Sequence, residues 1–182
     1  MSPCPRCPGP GTHGWGAYAN TTTLITATYH HLTHGTPVDD TTVRALAALI
    51  DDDIAARDAL IICALAPTMT LTDTLDVAQH PHTPGNKQQV KETLNAICDG
   101  LTPIDATGYR RLMALAERMR GVCAEHANMA TALAMWLAWL TDDMDALHEQ
   151  STHLDPGQLV PSLAALAAVG ASAGVRSHAV MA

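Results

Sequence analysis

Residues 121–170 read GVCAEHANMATALAMWLAWLTDDMDALHEQSTHLDPGQLVPSLAALAAVG, and this stretch holds the densest apolar run of the chain with two of its three tryptophans. Between Met129 and Leu140 there is one hydroxyl, that of Thr131, and no charged side chain. A helix over this run rises roughly 18 Å, well short of the roughly 30 Å hydrocarbon core of a bilayer. The run therefore predicts a helix buried in a protein core.

The larger apolar side chains of this run recur at spacings of three and four, which places them on one face of a helix. They are Met129, Leu133, Trp136, Leu137 and Leu140. The alanines between them leave the other faces narrow enough for close packing against neighbouring helices.

Two acidic turns divide the stretch into three predicted helices. Thr141–Asp143 ends the tryptophan helix and supplies N-caps for a second one, because short side-chain oxygens accept the unpaired N–H groups of a first turn. Asp155–Gly157 is expected to end the second helix and begin a third, with Pro156 at the first helical position. The second apolar stripe is Met144, Leu147 and Leu154, and the third is Leu159, Leu163 and Leu166, stopping at Gly170.

This part of the chain resembles one helical hairpin of a tetratricopeptide-type repeat. It resembles more closely the C-terminal part of an actinobacterial domain-of-unknown-function family, number 4192, which has a Trp-Leu pair, an acidic turn, a short helix and then Asp-Pro. The matching residues here are Trp139, Leu140, Asp142, Asp155 and Pro156. The segment Arg57–Leu60 resembles the middle of the same family, whose N-terminal hydrophobic segment has no counterpart here. The resemblance implies a related fold and carries no known activity.

The composition favours packed helices over sheets. The chain has 182 residues, of which 47% are apolar, while aromatics are only 3% and Phe is absent. The core must therefore be built from Ala, Leu, Ile, Val and Met, whereas sandwiches and barrels favour aromatic and β-branched residues. We expect an all-α protein, with short antiparallel helices in a hairpin or bundle array over residues 20–182. Residues 1–19, rich in Pro and Gly, should form an irregular N-terminal arm.

The charge balance argues against nucleic acid and membrane surfaces as partners. The formal net charge is -8, whereas duplex-binding proteins present a basic face that neutralises phosphates. One basic cluster is present, comprising Arg110, Arg111, Arg118 and Arg120, and Glu117 interrupts it. A solvated helix face explains this cluster better than nucleic-acid binding, and a polybasic membrane signal is missing.

The cysteines and the start of the chain favour a reducing compartment. Five cysteines are scattered along the sequence, and Met1–Pro5 leads into Pro and Gly and not into the apolar run of a signal peptide. We therefore expect a cytoplasmic protein with thiols at Cys63, Cys98 and Cys123.

The first half of the chain predicts two helical segments. Asn20–His34 mixes strand-forming threonines with an Asn cap and the stop at Gly35, and we interpret it as a helix. A second segment runs from a cap at Asp39 or Asp40 to about Ala66, with Asp51–Asp53 as a place where it can divide. Its stripe is Val43, Leu46, Ile50, Ile54, Ile61 and Leu65, and Asp53 is expected to pair with Arg57 at i,i+4.

The middle of the chain predicts two more helices. Residues 68–79 carry mixed signals, and residues 80–86 form a loop. Helices are expected at Lys87–Cys98 and Asp105–Arg120, and the second of these should bury Leu112, Leu115 and Met119.

A Cys-x-x-Cys pair, Cys4 and Cys7, lies in a Gly-rich turn of the arm, and this spacing allows two thiolates to bind one zinc. A structural zinc takes four ligands, so His13 with His30, His31 or His34 would complete the set. The metal site we predict is Cys4, Cys7, His13 and His34, with zinc as the ion. An unliganded tail is the competing interpretation, and a redox dithiol is disfavoured because no strand precedes the pair.

Two other groups could carry chemistry. Cys123 and His126 are three residues apart, which predicts one helix face and the beginnings of a thiol nucleophile. A buried Cys beside a rim His is the favoured alternative. Metal sites are also conceivable at His148 and His153 with Asp142 or Glu149, and at His30, His31 and His34, although surface histidines explain both sets.

The sequence as a whole favours a non-enzymatic, cytoplasmic helical protein that acts through a protein partner or through self-association as a homo-oligomer. The alternative is a zinc-binding protein or a metal- or thiol-dependent enzyme that uses Cys4 and Cys7 or Cys123 and His126.

Overall fold

The computed structural model describes residues 15–181, with side chains from residue 21 onward. Within these residues the protein is all-α, as the sequence predicts. A 3-10 turn at Ala124–His126 joins the helix that ends at Val122 to the helix that begins at Ala127. The helices are α1 (Trp15–His34), α2 (Asp40–Asp52), α3 (Ile54–Leu65), α4 (Leu71–Gln79), α5 (Pro84–Cys98), α6 (Ala106–Val122), α7 (Ala127–Leu140), α8 (Met144–Ser151) and α9 (Ser162–Ser172).

Short polar side chains begin most of these helices. Asp39 accepts the Thr42 N–H at 2.7 Å, and Asp53 accepts the Ala55 N–H at 2.9 Å. At α4 the Thr70 hydroxyl accepts from the Asp73 backbone while the Asp73 carboxylate accepts from the Thr70 backbone, which forms a capping box. Each cap satisfies a backbone donor that has no partner inside the helix and stabilises it by roughly 1 kcal/mol.

The tryptophan-bearing helix α7 lies at the centre of the back half of the chain. All of its side chains are buried except those of Ala127 and Trp139, which are half-buried. Trp136 and Leu140 are 8% and 0% exposed. It packs against α6, α8 and α9. The prediction of a buried core helix is confirmed, and its burial extends to all faces of the helix.

The front half is organised around α3, whose residues from Ala56 to Leu65 are buried except for Asp58. It packs against α1, α4 and α6. Because α6 packs against both α3 and α7, it joins the two halves into one core. The predicted core residues of α6, namely Leu112, Leu115 and Met119, are all buried.

Helix boundaries in the front half differ from the predicted ones. The first helix begins at Trp15, five residues before Asn20, so the helical part of the chain takes in the end of the predicted arm. Gly16 does not prevent this, because a helical Gly costs only about 1 kcal/mol relative to Ala. The ambiguous residues 68–79 contain α4, and α5 begins at Pro84, inside the predicted loop.

The long segment expected from residue 39 to residue 66 divides at Asp53. Asp53 caps α3 and does not pair with Arg57, which instead contacts Asp58 at 3.0 Å, so the predicted i,i+4 pair is wrong. Ile54, at the start of α3, is 61% exposed and is not buried with the other residues of the predicted stripe. The reason is that the break changes the helical phase after Asp53.

The third helix of the back half does not start at Pro156. Residues 155–161 form an irregular loop, and α9 begins at Ser162. Buried Asn128 holds this loop by accepting the Asp155 N–H at 2.8 Å and donating to the Asp155 carbonyl at 3.1 Å. The predicted stripe is therefore wrong in two of its three members, since Leu159 and Leu166 are 93% and 65% exposed. In the second predicted stripe, Leu154 lies beyond the end of α8 and is therefore not part of that helix.

An extended segment, residues 175–181, ties the end of the described chain to the connection between α5 and α6. The His178 N–H donates to the Cys98 carbonyl at 2.8 Å, and the Ile104 N–H donates to the Val180 carbonyl at 2.7 Å. These bonds satisfy backbone groups of a loop that has no sheet or helix of its own.

Gly108 marks the closest contact between α6 and α3, and its replacement tests this packing. A Cβ at Gly108 would lie 2.0 Å from the Ala64 carbonyl oxygen, whereas a Cβ at Gly121 of the same helix would meet no atom within 4 Å. Because the obstacle is backbone, we expect Gly108→Ala to lower the free energy of unfolding by about 3 kcal/mol or more. Gly121→Ala should raise it by about 0.5–1 kcal/mol.

Urea unfolding followed by circular dichroism measures both effects, and Gly121→Ala serves as the matched control. Equal stabilities of the two variants would contradict the proposed contact.

Candidate functional site

Three of the four predicted zinc ligands, Cys4, Cys7 and His13, lie outside the residues that the structure describes. The fourth, His34, is the last residue of α1 and is exposed. Among the described residues, no three or more His, Cys, Asp or Glu side chains come together as a metal would require. A complete site made of His148, His153 and an acidic neighbour is therefore not formed, and Asp142 pairs with Arg176 instead.

Cys123 and His126 do not share a helix face, so that prediction is wrong. Cys123 ends α6 with φ −139° and ψ 91°, which is extended backbone, and the following 3-10 turn carries His126. The His126 Nδ1 lies 2.7 Å from an Asp51 carboxylate oxygen at the end of α2. This imidazole thus joins α2 to the corner between α6 and α7, and a thiol–imidazole pair for catalysis has no support from the helix geometry.

The described thiols are poorly suited to nucleophilic catalysis. Burial raises the pKa of the Cys63 thiol to about 11, and burial also raises the pKa of Cys98. Cys63 and Cys123 are each 3% exposed. Because the thiolate is the nucleophile, a protonated and enclosed sulfur reacts slowly near neutral pH.

Most arginines of the α6 cluster form hydrogen bonds to other helices of the fold. Three of its members bond to acceptors on other parts of the chain: Arg111 to the Leu32 carbonyl at 3.0 Å, Arg118 to the Asp40 carboxylate at 2.6 Å, and Arg120 to the Gln150 side chain at 2.7 Å. A phosphate backbone would need these guanidinium groups on an open face. Their contacts therefore favour a structural role over nucleic-acid binding.

An open groove of about 580 Å³ lies between the start of α3 and the start of α5. Carboxylates line one wall and lysines the other, with apolar side chains between them. Its lining includes Asp52, Ile54 and Asp58 on one side and Lys87, Val90 and Lys91 on the other. Burial raises the pKa of the Asp58 carboxyl above its ordinary value of 3.8, although the adjacent Arg57 guanidinium opposes this shift. The Cys123 and His126 side chains are not part of this groove.

The outer face of α9 is apolar and exposed. Leu163, Ala164 and Ala167 point toward α7 and are buried, while Leu166 and Val169, one turn apart on the opposite side, are 65% and 63% exposed. The loop and the segment on either side continue the exposed apolar surface with Leu159, Val160 and Val175. Sequence reasoning missed this face because it assigned Leu159 and Leu166 to the core.

Each helix within residues 15–181 is too short or too polar to cross a lipid bilayer. Comparison of the chain with protein-family models, with curated proteins and with solved structures gave no match. The resemblance to family 4192 therefore stays a prediction.

The burial of the thiols predicts slow alkylation. In a Cys4→Ser, Cys7→Ser variant, we expect Cys63, Cys98 and Cys123 to react with iodoacetamide at neutral pH more slowly than glutathione does. Peptide mass spectrometry resolves the rate at each position, and the same protein in urea provides the control, since unfolding should restore normal rates. Faster labelling of Cys123 than of glutathione would revive the thiol-enzyme hypothesis.

The raised pKa of Asp58 predicts a pH-dependent stability. The folded chain holds this proton more tightly than the unfolded chain, so the stabilisation is complete below pH 3.8 and is lost as the pH rises through the higher folded-state pKa. The free energy of unfolding of the wild type, measured relative to Asp58→Asn, should therefore fall between about pH 3 and pH 6.

Denaturant unfolding at several pH values measures this difference. Asp52→Asn, at an exposed position on the same wall, controls for the change in net charge. A difference that rises with pH would show that the pairing with Arg57 outweighs the burial of the carboxylate.

Proposed function

We propose that this chain is a non-enzymatic cytoplasmic protein that self-associates, and that two copies meet through the outer face of α9. The observation that carries the proposal is the exposure of Leu166 and Val169 on a helix whose opposite side is fully packed. A helix that is apolar all round is stable only when it is covered on all sides. Exposed apolar patches rimmed by polar surface are typical of interaction sites.

Charge supports a second copy as the occupant of this face. The chain carries a formal net charge of -8, so copies repel one another over most surfaces. Residues 156–175, which include all of α9, contain no charged side chain. Two copies that dock through this segment bring apolar surface together without burying like charges. A two-fold contact also needs only one kind of surface, which is then complementary to itself.

The size of the face sets the expected strength of the dimer. A standard protein interface uses about 20–30 residues from each partner. The exposed part of residues 159–175 supplies fewer, and its largest side chains are Leu159 and Leu166. We therefore expect an association in the micromolar range and a dimer that forms and separates readily.

Catalysis is the weaker alternative for the described residues. The Cys123 thiol and the His126 imidazole are separated by a break in the helix, and His126 is engaged by Asp51. The metal-dependent form of the alternative rests on Cys4, Cys7 and His13, which are outside the described part of the chain.

The dimer proposal predicts that the average mass in solution rises with protein concentration. It also predicts that one charge introduced into the contact abolishes this rise. We expect the wild type to shift from monomer toward dimer between about 5 and 200 µM, because association in the micromolar range spans these concentrations. Leu166→Glu should remain monomeric over the same range, since a buried unpaired carboxylate in the contact costs several kcal/mol. Sedimentation velocity measures the mass, and circular dichroism checks the fold.

Leu101→Glu is the matched control. Leu101 is 78% exposed and lies between α5 and α6, outside the proposed contact segment 159–175, so its variant should associate like the wild type. A wild type that stays monomeric throughout, or equal loss of association in both variants, would overturn the proposal.

A further inference from the structure

Two imidazoles lie one helical turn apart near the end of α1. The ring centroids of His30 and His34 are 5.6 Å apart, and their planes differ by 27°. Tyr29 stands edge-on to both rings, with centroid distances of 5.6 Å to His30 and 6.3 Å to His34. The phenol ring therefore contacts both imidazoles and limits the positions that they can take.

The ring nitrogens of this pair are uncommitted among the described residues. The nearby His31 is different, because its Nδ1 lies 2.9 Å from the Thr36 carbonyl oxygen. His126 is likewise engaged by a carboxylate. Within residues 21–181, neither His30 nor His34 has a hydrogen bond through its ring. His34 is exposed and His30 is half-buried, so both imidazoles are in part open to solvent.

The spacing of the pair suits a shared metal ion. Two histidines at i and i+4 on one helix face supply two ligands to zinc in known metal sites. Imidazole nitrogens bind zinc at about 2.0–2.1 Å, which brings the centroids of two rings on one ion to roughly 5 Å. The observed 5.6 Å is close to this value, and rotation about the outer side-chain torsion of an accessible His is inexpensive.

The end of α1 that carries the pair is held by the rest of the fold. Gly35 ends the helix with φ +76°, and its N–H donates to the His31 carbonyl at 3.0 Å. The Arg111 guanidinium donates to the Leu32 carbonyl at 3.0 Å. These contacts fix the last turn, so the two rings stay in register without a metal.

We propose that His30 and His34 together form a two-imidazole chelate for a divalent transition metal, with zinc as the ion to test first. Of the three neighbouring histidines that the sequence offers, the geometry thus favours His30 and His34 over His31. Water fills the other coordination positions of the ion. The proposal does not depend on self-association through α9.

Zinc titration of single-site variants tests the chelate. The background is Leu166→Glu with Cys4→Ser and Cys7→Ser, prepared without a histidine tag, so that neither dimerisation nor the cysteines contribute. Isothermal titration with zinc chloride should give one site, and His30→Ala or His34→Ala should weaken it by about tenfold or more, since each removes one of two ligands. His31→Ala should change the affinity by less than about twofold and is the matched control.

A second readout locates the ion independently of affinity. Long-range proton–nitrogen spectra of the histidine rings should show zinc-dependent shifts at His30 and His34 and none at His31. Zinc should also raise the melting temperature, because a ligand that binds only the folded helix stabilises it. Equal weakening by His31→Ala, absence of binding in the cysteine-free background, or binding that survives His30→Ala and His34→Ala would each overturn the chelate.

Discussion

The enclosure of α7 is the constraint on which the rest of the structure depends. This helix is apolar around its whole circumference, so each of its faces must be covered by another part of the chain. Three helices, α6, α8 and α9, supply most of that cover, and α2 adds a smaller contact. Removing any of them would expose Leu or Trp side chains whose burial stabilises the fold by about 1.5–3 kcal/mol each.

The way α9 provides this cover explains its own exposed face. A helix of alanines, leucines and a valine fits closely over α7 because its buried residues, Leu163, Ala164 and Ala167, include two small side chains. The same composition leaves no charged residue to solvate the opposite side. The helix that covers α7 is thus apolar on both sides, and the dimer that we propose would cover the side that is exposed.

Signals from neighbouring residues were enough to predict several of the helices. The buried run of α7 and caps at Asp39 or Asp40 and within Thr141–Asp143 were evident from spacing and side-chain type, and the structure places these caps at Asp39 and Asp143. One error arose where a distant contact decides the conformation. Asp155–Gly157 carries a strong local signal for a helix start, but Asn128, 27 residues away, holds the Asp155 backbone in a loop. No local pattern reveals that bond.

The candidate sites show the same division between local and distant information. The i,i+4 spacing of His30 and His34 is visible in the sequence, but the choice between them and His31 depends on the turn to Thr36 and on the ring of Tyr29. The separation of Cys123 from His126 follows from the extended backbone at Cys123, where α6 ends. Spacing predicts a shared face only when the helix is continuous, so each such prediction depends on a boundary.

The distribution of charge links the fold to the proposed contact. The chain has few cations, and three arginines of α6 are directed to the Leu32 carbonyl, Asp40 and Gln150, where they join α1, α2 and α8 to α6. Even with all of its cations counted, the chain carries a formal net charge of -8, so copies of it repel one another. Residues 156–175 carry no charge and therefore add nothing to this repulsion. The absence of charge in this segment therefore supports the contact that we propose between two acidic copies.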